Sequence, residues 1–232
     1  MKTTISLALG CALAALAAGP FAIEKIDSEA AGMSAARLAR IPVRMKEFVA
    51  DGKTAGAVTL IARHGHVASL DAVGYQDLES KTPMHIDTIF RLASVTKPVT
   101  CAGIMMLVDE GRVSVIDPVE KFLPEFKGLK LNPCGTRAGY NCELVTPSRL
   151  VTVLDLMTHT SGLPGGAPAS GEPPKTLAER VASVHGATLL FEPGTAWNYS
   201  KIGIAALGRS MEVVAGQPYD RFLAEESSSR LP

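Results

Sequence analysis

Residues 90–103 read FRLASVTKPVTCAG, placing Ser94 and Lys97 one helical turn apart, just ahead of a run of small and apolar residues. A hydroxyl is a poor nucleophile until a base takes its proton, and an amine three positions further along a helix faces it. A serine at a helix N-terminus also meets unpaired backbone N–H groups, which favour negative charge and can furnish part of an oxyanion hole. Pro98 suits such a first turn, because its missing N–H needs no partner there. The pair therefore has the means for acyl transfer without a histidine. The competing role for Ser94 is an ordinary helix cap. With 16 serines and 11 lysines in 232 residues, about one Ser-x-x-Lys arises by chance, so the tetrapeptide alone does not choose.

Other chemistries lack their residues. There is no Gly-x-Ser-x-Gly turn to expose a nucleophile in the α/β-hydrolase manner. No His-Glu-x-x-His or Cys-x-x-Cys occurs and the five histidines are scattered, so neither a metal site nor a cofactor is expected. No Gly-x-Gly-x-x-Gly is present, and Gly52-Lys53-Thr54 lacks the glycine five residues earlier that a phosphate-binding loop needs, so nothing cradles a nucleotide. Charge is balanced, 23 basic against 23 acidic residues, which gives no overall field for nucleic acid or an anionic membrane.

The elements that must hold Ser94 in place are readable from periodicity. At 47% hydrophobic, the chain can bury a sizeable core as one large domain or two modest ones. Leu38, Ile41, Met45, Phe48 and Val49 predict a helix over 34–51, kinked or broken by Pro42 and ended by Gly52. Residues 57–63 and 67–75 predict an antiparallel hairpin turned by His64-Gly65. From Ser94 onward the chain reads as mostly helical. Val99, Ala102, Gly103, Met106 and Leu107 form one stripe, and Asp117-Pro118 reads as a cap followed by a first-turn proline. A short helix is expected at 152–157, another opened by the capping box at 176–179, and a long one over 200–215 ended by Gly216. The Gly/Pro/Ser stretch 160–174 is long for a bare connector and reads as the rim of a cleft.

Residues 1–19 are set apart. A short basic start, an apolar small-residue run and small-x-small positions near 15–19 read as a secretory signal peptide, so a periplasmic or secreted location is expected. The run is short for a permanent membrane anchor. Export would permit Cys134 and Cys142, which flank NPCGTRAGYNC, to pair. Cys101, on an apolar helix face, reads as an inert core thiol.

Three blocks, DTIFRLASVTKPVT, VTVLDLMTHTSGLP and FEPGTAWNYS, occur in that order. Together they resemble the serine β-lactamase and DD-peptidase superfamily, in the branch of class C β-lactamases, family VIII esterases and D-amino-acid peptidases, over roughly residues 33–223. The resemblance implies an α/β fold, a helical subdomain with an antiparallel-sheet α/β subdomain. It makes Ser94 the acylated nucleophile, Lys97 its proton partner and Tyr199 the general base. A cationic amine nearby favours phenolate, which agrees with that role; the alternative for Tyr199 is a core aromatic. His159 in THTSGL falls in a structural turn of the family, and a histidine base is not expected.

Two departures qualify the resemblance. Where β-lactamases have Tyr-x-Asn, this chain has Lys201, assigned here to substrate binding. A lysine offers no amide acceptor, which favours esters over lactams. The third, Lys-Thr-Gly-like motif and the strands after it are not found, so residues 20–232 are expected to be a hydrolase domain lacking its C-terminal part. The sheet subdomain would then be incomplete, with apolar faces open to self-association. The function expected is an esterase acting through an acyl-enzyme on Ser94. A class C-like β-lactamase or D-Ala-type peptidase is the close alternative, and a catalytically inert fragment the alternative of another kind. The partners expected are a small-molecule ester, a β-lactam or a D-amino-acid peptide, with no nucleic acid and no stable membrane anchor.

Overall fold

A computed structural model of the protein describes residues 27–135, 142–165 and 174–230. The expected leader 1–19 and parts of the 134–142 and 160–174 loops lie outside the described residues. The chain divides into two compact units, the first ending at Arg91 and the second starting at Leu92.

In the first unit Ser34 caps helix α1 (Ala35–Leu38), its hydroxyl accepting from the Arg37 N–H. Helix α2 (Arg40–Ala50) begins after a single intervening residue. The expected helix is thus broken at Ala39, three residues ahead of Pro42. That offset has a steric cause: in a continuous helix the Pro42 ring would strike the Leu38 carbonyl, whereas in the first turn of α2 its absent N–H has no bond to lose. Helix α2 packs on strands β1 (Gly56–Arg63) and β2 (His66–Asp77) through the half-buried side carrying Ile41, Met45, Phe48 and Val49. The strands pair antiparallel, from Gly56 opposite Gly74 to Arg63 opposite His66. The turn between them has φ of 52° at His64 and 79° at Gly65, the left-handed pair whose twist matches a hairpin. A third strand, β3 (Thr82–Pro83), adds to β2; two residues including a proline give no periodicity to read, and proline suits a sheet edge. Ala31, Leu38 and Ala68 form this unit's small core.

The second unit opens with a 3-10 turn, Ala93–Val95, running into helix α3 (Thr96–Asp109). The buried face of α3 is Thr100, Gly103, Ile104 and Leu107, while Val99 and Ala102, expected inside, are exposed. This helix is apolar all round, so periodicity could not fix which stripe faces inward. Asp117-Pro118 starts no α-helix. It leads into 3-10 turns at Val119–Lys121 and Pro124–Phe126, and the Asp117 carboxylate accepts from the Ser114 N–H and from Lys121. Two short strands, β4 (Lys130–Leu131) and β5 (Thr188–Leu189), pair in parallel; at two residues each they carry no alternation to read.

Helices α4 (Val153–Met157), α5 (Leu177–Ala182) and α6 (Lys201–Ala215) stand where expected, with Thr176 capping α5 and Gly216 ending α6 as predicted. Thr152 and Asp155 complete a reciprocal capping box on α4. Gly216, at φ 71°, ends α6 in the left-handed conformation that glycine adopts without strain. A last helix, α7 (Tyr219–Arg230), has no counterpart among the expected elements. It is anchored by fully buried Phe222 and by a 2.8 Å bond between the Tyr219 and Thr100 hydroxyls.

The core of this unit joins Ile104 and Leu107 of α3 to Leu156, Val181, Leu189, Leu207, Met211 and Phe222. Each such side chain contributes about 1.5–3 kcal/mol on burial. Helix α3 comes so close to its neighbours at Gly103 that a Cβ there would lie 2.6 Å from Met211 Cε and 2.9 Å from Leu223 Cδ2. The expected α/β composition holds: a helical unit, and a smaller unit of helices and antiparallel sheet.

Candidate active site

Ser94 does not cap helix α3. Val95 holds the cap position without a side-chain bond, and Ser94 lies in the 3-10 turn before it. Its neighbour Ala93 has φ of 46°, a left-handed conformation that costs an L-residue of order 1–2 kcal/mol. That bend carries the chain into α3 and leaves Ser94 exposed. The Ser94 Oγ is 2.8 Å from the Tyr199 Oη and accepts from the Lys97 Nζ at 3.1 Å. The Lys97 ammonium also lies 4.7 Å from the centre of the Tyr199 ring. Residues 105 positions apart thus meet at one oxygen.

Their electrostatics are coupled. The Lys97 amine, foremost through hydrogen bonding, and then the Ser94 hydroxyl draw the Tyr199 phenol below its ordinary value, with a smaller contribution from the Lys201 charge. The cation favours the phenolate because it stabilises only the charged form. The His159 imidazole is also shifted downward, by burial first and then by the Lys97 charge, which keeps it neutral and makes it a weaker proton acceptor.

Tyr199 reaches this place because the loop before α6 is fastened to the chain after α4. Leu190 N–H donates to the Gly162 carbonyl, Gly194 N–H to Thr160 and Lys201 N–H to Gly165, at 2.8, 2.8 and 3.1 Å. The Asn198 side chain donates to the Leu163 carbonyl at 3.0 Å, and the Ser200 hydroxyl to Pro164 at 3.2 Å. Beneath lies a bidentate ion pair, Arg149 to Asp155 at 2.6 and 2.8 Å. The buried Asp155 carboxylate accepts also from the Thr152 N–H and hydroxyl and from Thr160. These bonds satisfy a buried charge that would otherwise be costly.

The structure therefore brings together Ser94, Lys97 and Tyr199. Lys201, the first residue of α6, is exposed. Sequence reasoning missed Trp197, which is 66% exposed with its ring 6.4 Å from that of Tyr199 and 6.1 Å, edge-on, from His159. The signal was its position two residues before the tyrosine. Elsewhere in this unit Cys134 and Cys142 form a disulfide with Cα atoms 6.1 Å apart. Cys101 is a free thiol, half-buried against the core, and burial pushes its pKa up.

Comparison with known proteins places this geometry in context. A family model described as Beta-lactamase matches residues 44–230. Esterase EstB of Burkholderia gladioli is 33% identical over 208 residues, which are 83% of this chain and 50% of the esterase. Among solved structures, EstCE1, described as a hydrolase with promiscuous acyltransferase activity, aligns at 31% identity with a TM-score of 0.70, over 83% of this chain and 51% of that one. A penicillin-binding protein homologue from Pyrococcus abyssi aligns at 27% identity with a TM-score of 0.63, over 83% and 42% respectively. The chain thus spans about half the length of EstB and of EstCE1.

Proposed function

We propose that this chain, which belongs to the beta-lactamase family, is a serine hydrolase that forms an acyl-enzyme on Ser94 and acts foremost on esters. One observation carries the reading: a single exposed hydroxyl oxygen within hydrogen-bond distance of both a phenol and an amine. Tyr199, its ionisation favoured by Lys97, takes the Ser94 proton as the Oγ attacks the ester carbonyl. The Ser94 N–H is the assigned donor to the developing oxyanion. As the carbon–oxygen bond to the alcohol breaks, Tyr199 returns its proton to the departing alkoxide. Water, deprotonated in turn by Tyr199, then cleaves the acyl-serine and restores the hydroxyl.

The name of esterase EstB supports ester substrates, as does Lys201, which has no amide with which to receive a lactam side chain, and the acyltransferase activity printed for EstCE1 is consistent with an acyl-enzyme. The penicillin-binding protein homologue favours a second reading, a β-lactam or D-amino-acid peptide as substrate. A periplasmic or secreted location is supported by the pattern of residues 1–19 and by the Cys134–Cys142 bridge, since disulfides persist in oxidising compartments.

The test uses a fluorophosphonate probe and intact mass. One adduct is expected, absent in Ser94→Ala, and labelling that survives this substitution overturns the assignment. On the same protein, kcat/KM for a 4-nitrophenyl ester is expected to exceed that for a chromogenic cephalosporin. The reverse order would favour the lactam reading.

A further inference from the structure

Both residues beside Tyr199 are held through their backbone N–H groups by one residue. The N–H of Asn198, just before it, donates to the His159 carbonyl at 2.9 Å. The N–H of Ser200, just after it, donates to the His159 Nδ1 at 3.3 Å. The imidazole also lies against the Tyr199 ring, centroids 4.9 Å apart and planes tilted by 41°. A residue can offer its carbonyl and its side chain to one strand in this way because its backbone is left-handed, with φ of 61°. His159 is one of four non-glycine residues in that conformation among the described residues, and histidine adopts it more readily than most.

Resting on the reading of Tyr199 as the proton acceptor, we propose that His159 is a positioning residue: its neutral ring, with Nδ1 as acceptor and the proton on Nε2, fixes the phenol oxygen over Ser94. The tautomer follows from the bond, because only an unprotonated Nδ1 can receive the Ser200 N–H. Ser200 is in turn the cap of α6, its hydroxyl accepting from Gly203 N–H, so the grip on residue 200 also fixes where the helix begins. Without the Nδ1 acceptor, the peptide after Tyr199 turns and the 2.8 Å contact to Ser94 lengthens. Two charged or titratable groups face the imidazole, Lys97 from α3 and Tyr199 from the loop. Asp155, one turn earlier on its own segment, is already engaged with Arg149, Thr152 and Thr160.

Three variants separate the acceptor from the ring. His159→Asn keeps an oxygen acceptor near the Nδ1 position and tolerates a left-handed backbone. His159→Phe keeps the aromatic face and removes the acceptor. His159→Gly relieves the backbone and removes both. The readouts are the rate of Ser94 labelling by the fluorophosphonate and the Tyr199 ionisation midpoint, followed by NMR of ring-labelled tyrosine assigned with Tyr199→Phe. His159→Asn should label within ~3-fold of the parent, and the Phe and Gly variants ~10-fold or more slower, the scale of a small misplacement. In those two the Tyr199 midpoint should rise toward the ordinary phenol value, as the ring leaves Lys97. Equal labelling and midpoints in His159→Phe and the parent overturn the proposal. If one variant fails to fold by circular dichroism, the comparison of the remaining variants with the parent decides. Failure of the parent to label at Ser94 would sink the hydrolase reading, while the tyrosine titration would still decide the role of His159.

Discussion

At the scale of single residues, the pair around the Ser94 oxygen predicts its own pH dependence. If phenolate Tyr199 is the base, the rate rises with pH through the Tyr199 midpoint and levels off above it. That midpoint lies below the free-tyrosine value of about 10, because Lys97 stabilises the charged form. Lys97→Ala should therefore move the rising limb to higher pH as well as slow the reaction. Tyr199→Phe should cost ~10²-fold or more in kcat, and the two losses should not add, because the residues act on one proton. Additive losses, or an unshifted limb in Lys97→Ala, would contradict the scheme. These three residues are legible in the chain itself because their meaning lies in order and spacing. Ser94 and Lys97 share a helical turn, and Tyr199 falls in a block that repeats a family pattern. His159 is legible only as a turn, because its contacts depend on a φ of 61° that composition does not announce. Trp197 gives no periodic signal at all.

At the scale of elements, the loop carrying Tyr199 depends on Asp155. Burial alone would raise the pKa of this carboxyl, but its hydrogen bonds from Arg149 and Thr152 outweigh that, and the net shift is downward. A carboxyl with a depressed folded pKa contributes stability that is present above its unfolded value, near 4, and lost as pH falls through the folded one. Urea midpoints should therefore fall steeply below pH ~4. Asp155→Asn should flatten that acid limb while costing about 1–3 kcal/mol at neutral pH, because it weakens charge-assisted hydrogen bonds to a buried carboxylate while Arg149 stays in solvent. An unchanged acid limb in the variant would assign the transition to other carboxyls. The capping box that places Asp155 is hard to read from the residues, since Thr-x-x-Asp resembles the Thr-x-x-Glu pattern without matching it. The Thr176 cap and the Gly216 stop make α5 and α6 readable. Helix α7 escapes because its polar second half masks the one face that carries Tyr219 and Phe222, and the two-residue strands β4 and β5 are set by pairing partners far away along the chain.

At the scale of the whole molecule, each unit leaves large apolar side chains in water. Ile89 is 97% exposed and Leu60 50% in the first unit; Ile116 is 73% and Val95 58% in the second. Val95, in the cap position of α3, and Val99, in its first turn, are both exposed and follow Ser94 in sequence. Apolar surface of this kind marks sites of association when it is contiguous. The chain is expected to self-associate, with light scattering after size exclusion giving a mass that exceeds 24.4 kDa and grows with concentration. A monomer at all concentrations would remove this expectation. The division into a sheet-bearing and a helical unit is visible in the switch from alternating to helical periodicity near residue 90. Which stripe of α3 turns inward is not, because a helix apolar on every side is oriented only by its neighbours.

The close approach at Gly103 makes α3 and α6 behave as the two arms of a lever. Ser94 stands nine residues before Gly103, about 13 Å along a helical path, and Tyr199 stands just before the start of the opposing arm. With the fulcrum at Gly103 and Met211, a splay of about 5° would displace the tips by about 1 Å over that length. That is a large fraction of what separates a 2.8 Å hydrogen bond from no bond at all. Met211 is fully buried, so a methyl group added at position 103 has to force its side chain out of register or push the arms apart. Gly103→Ala should accordingly slow Ser94 labelling more than it lowers the unfolding midpoint, although it touches none of the reacting groups. A proportionate loss of both would mean that the arms flex independently. Selective slowing would tie the width of the reaction centre to the absence of a single carbon atom more than two helical turns away.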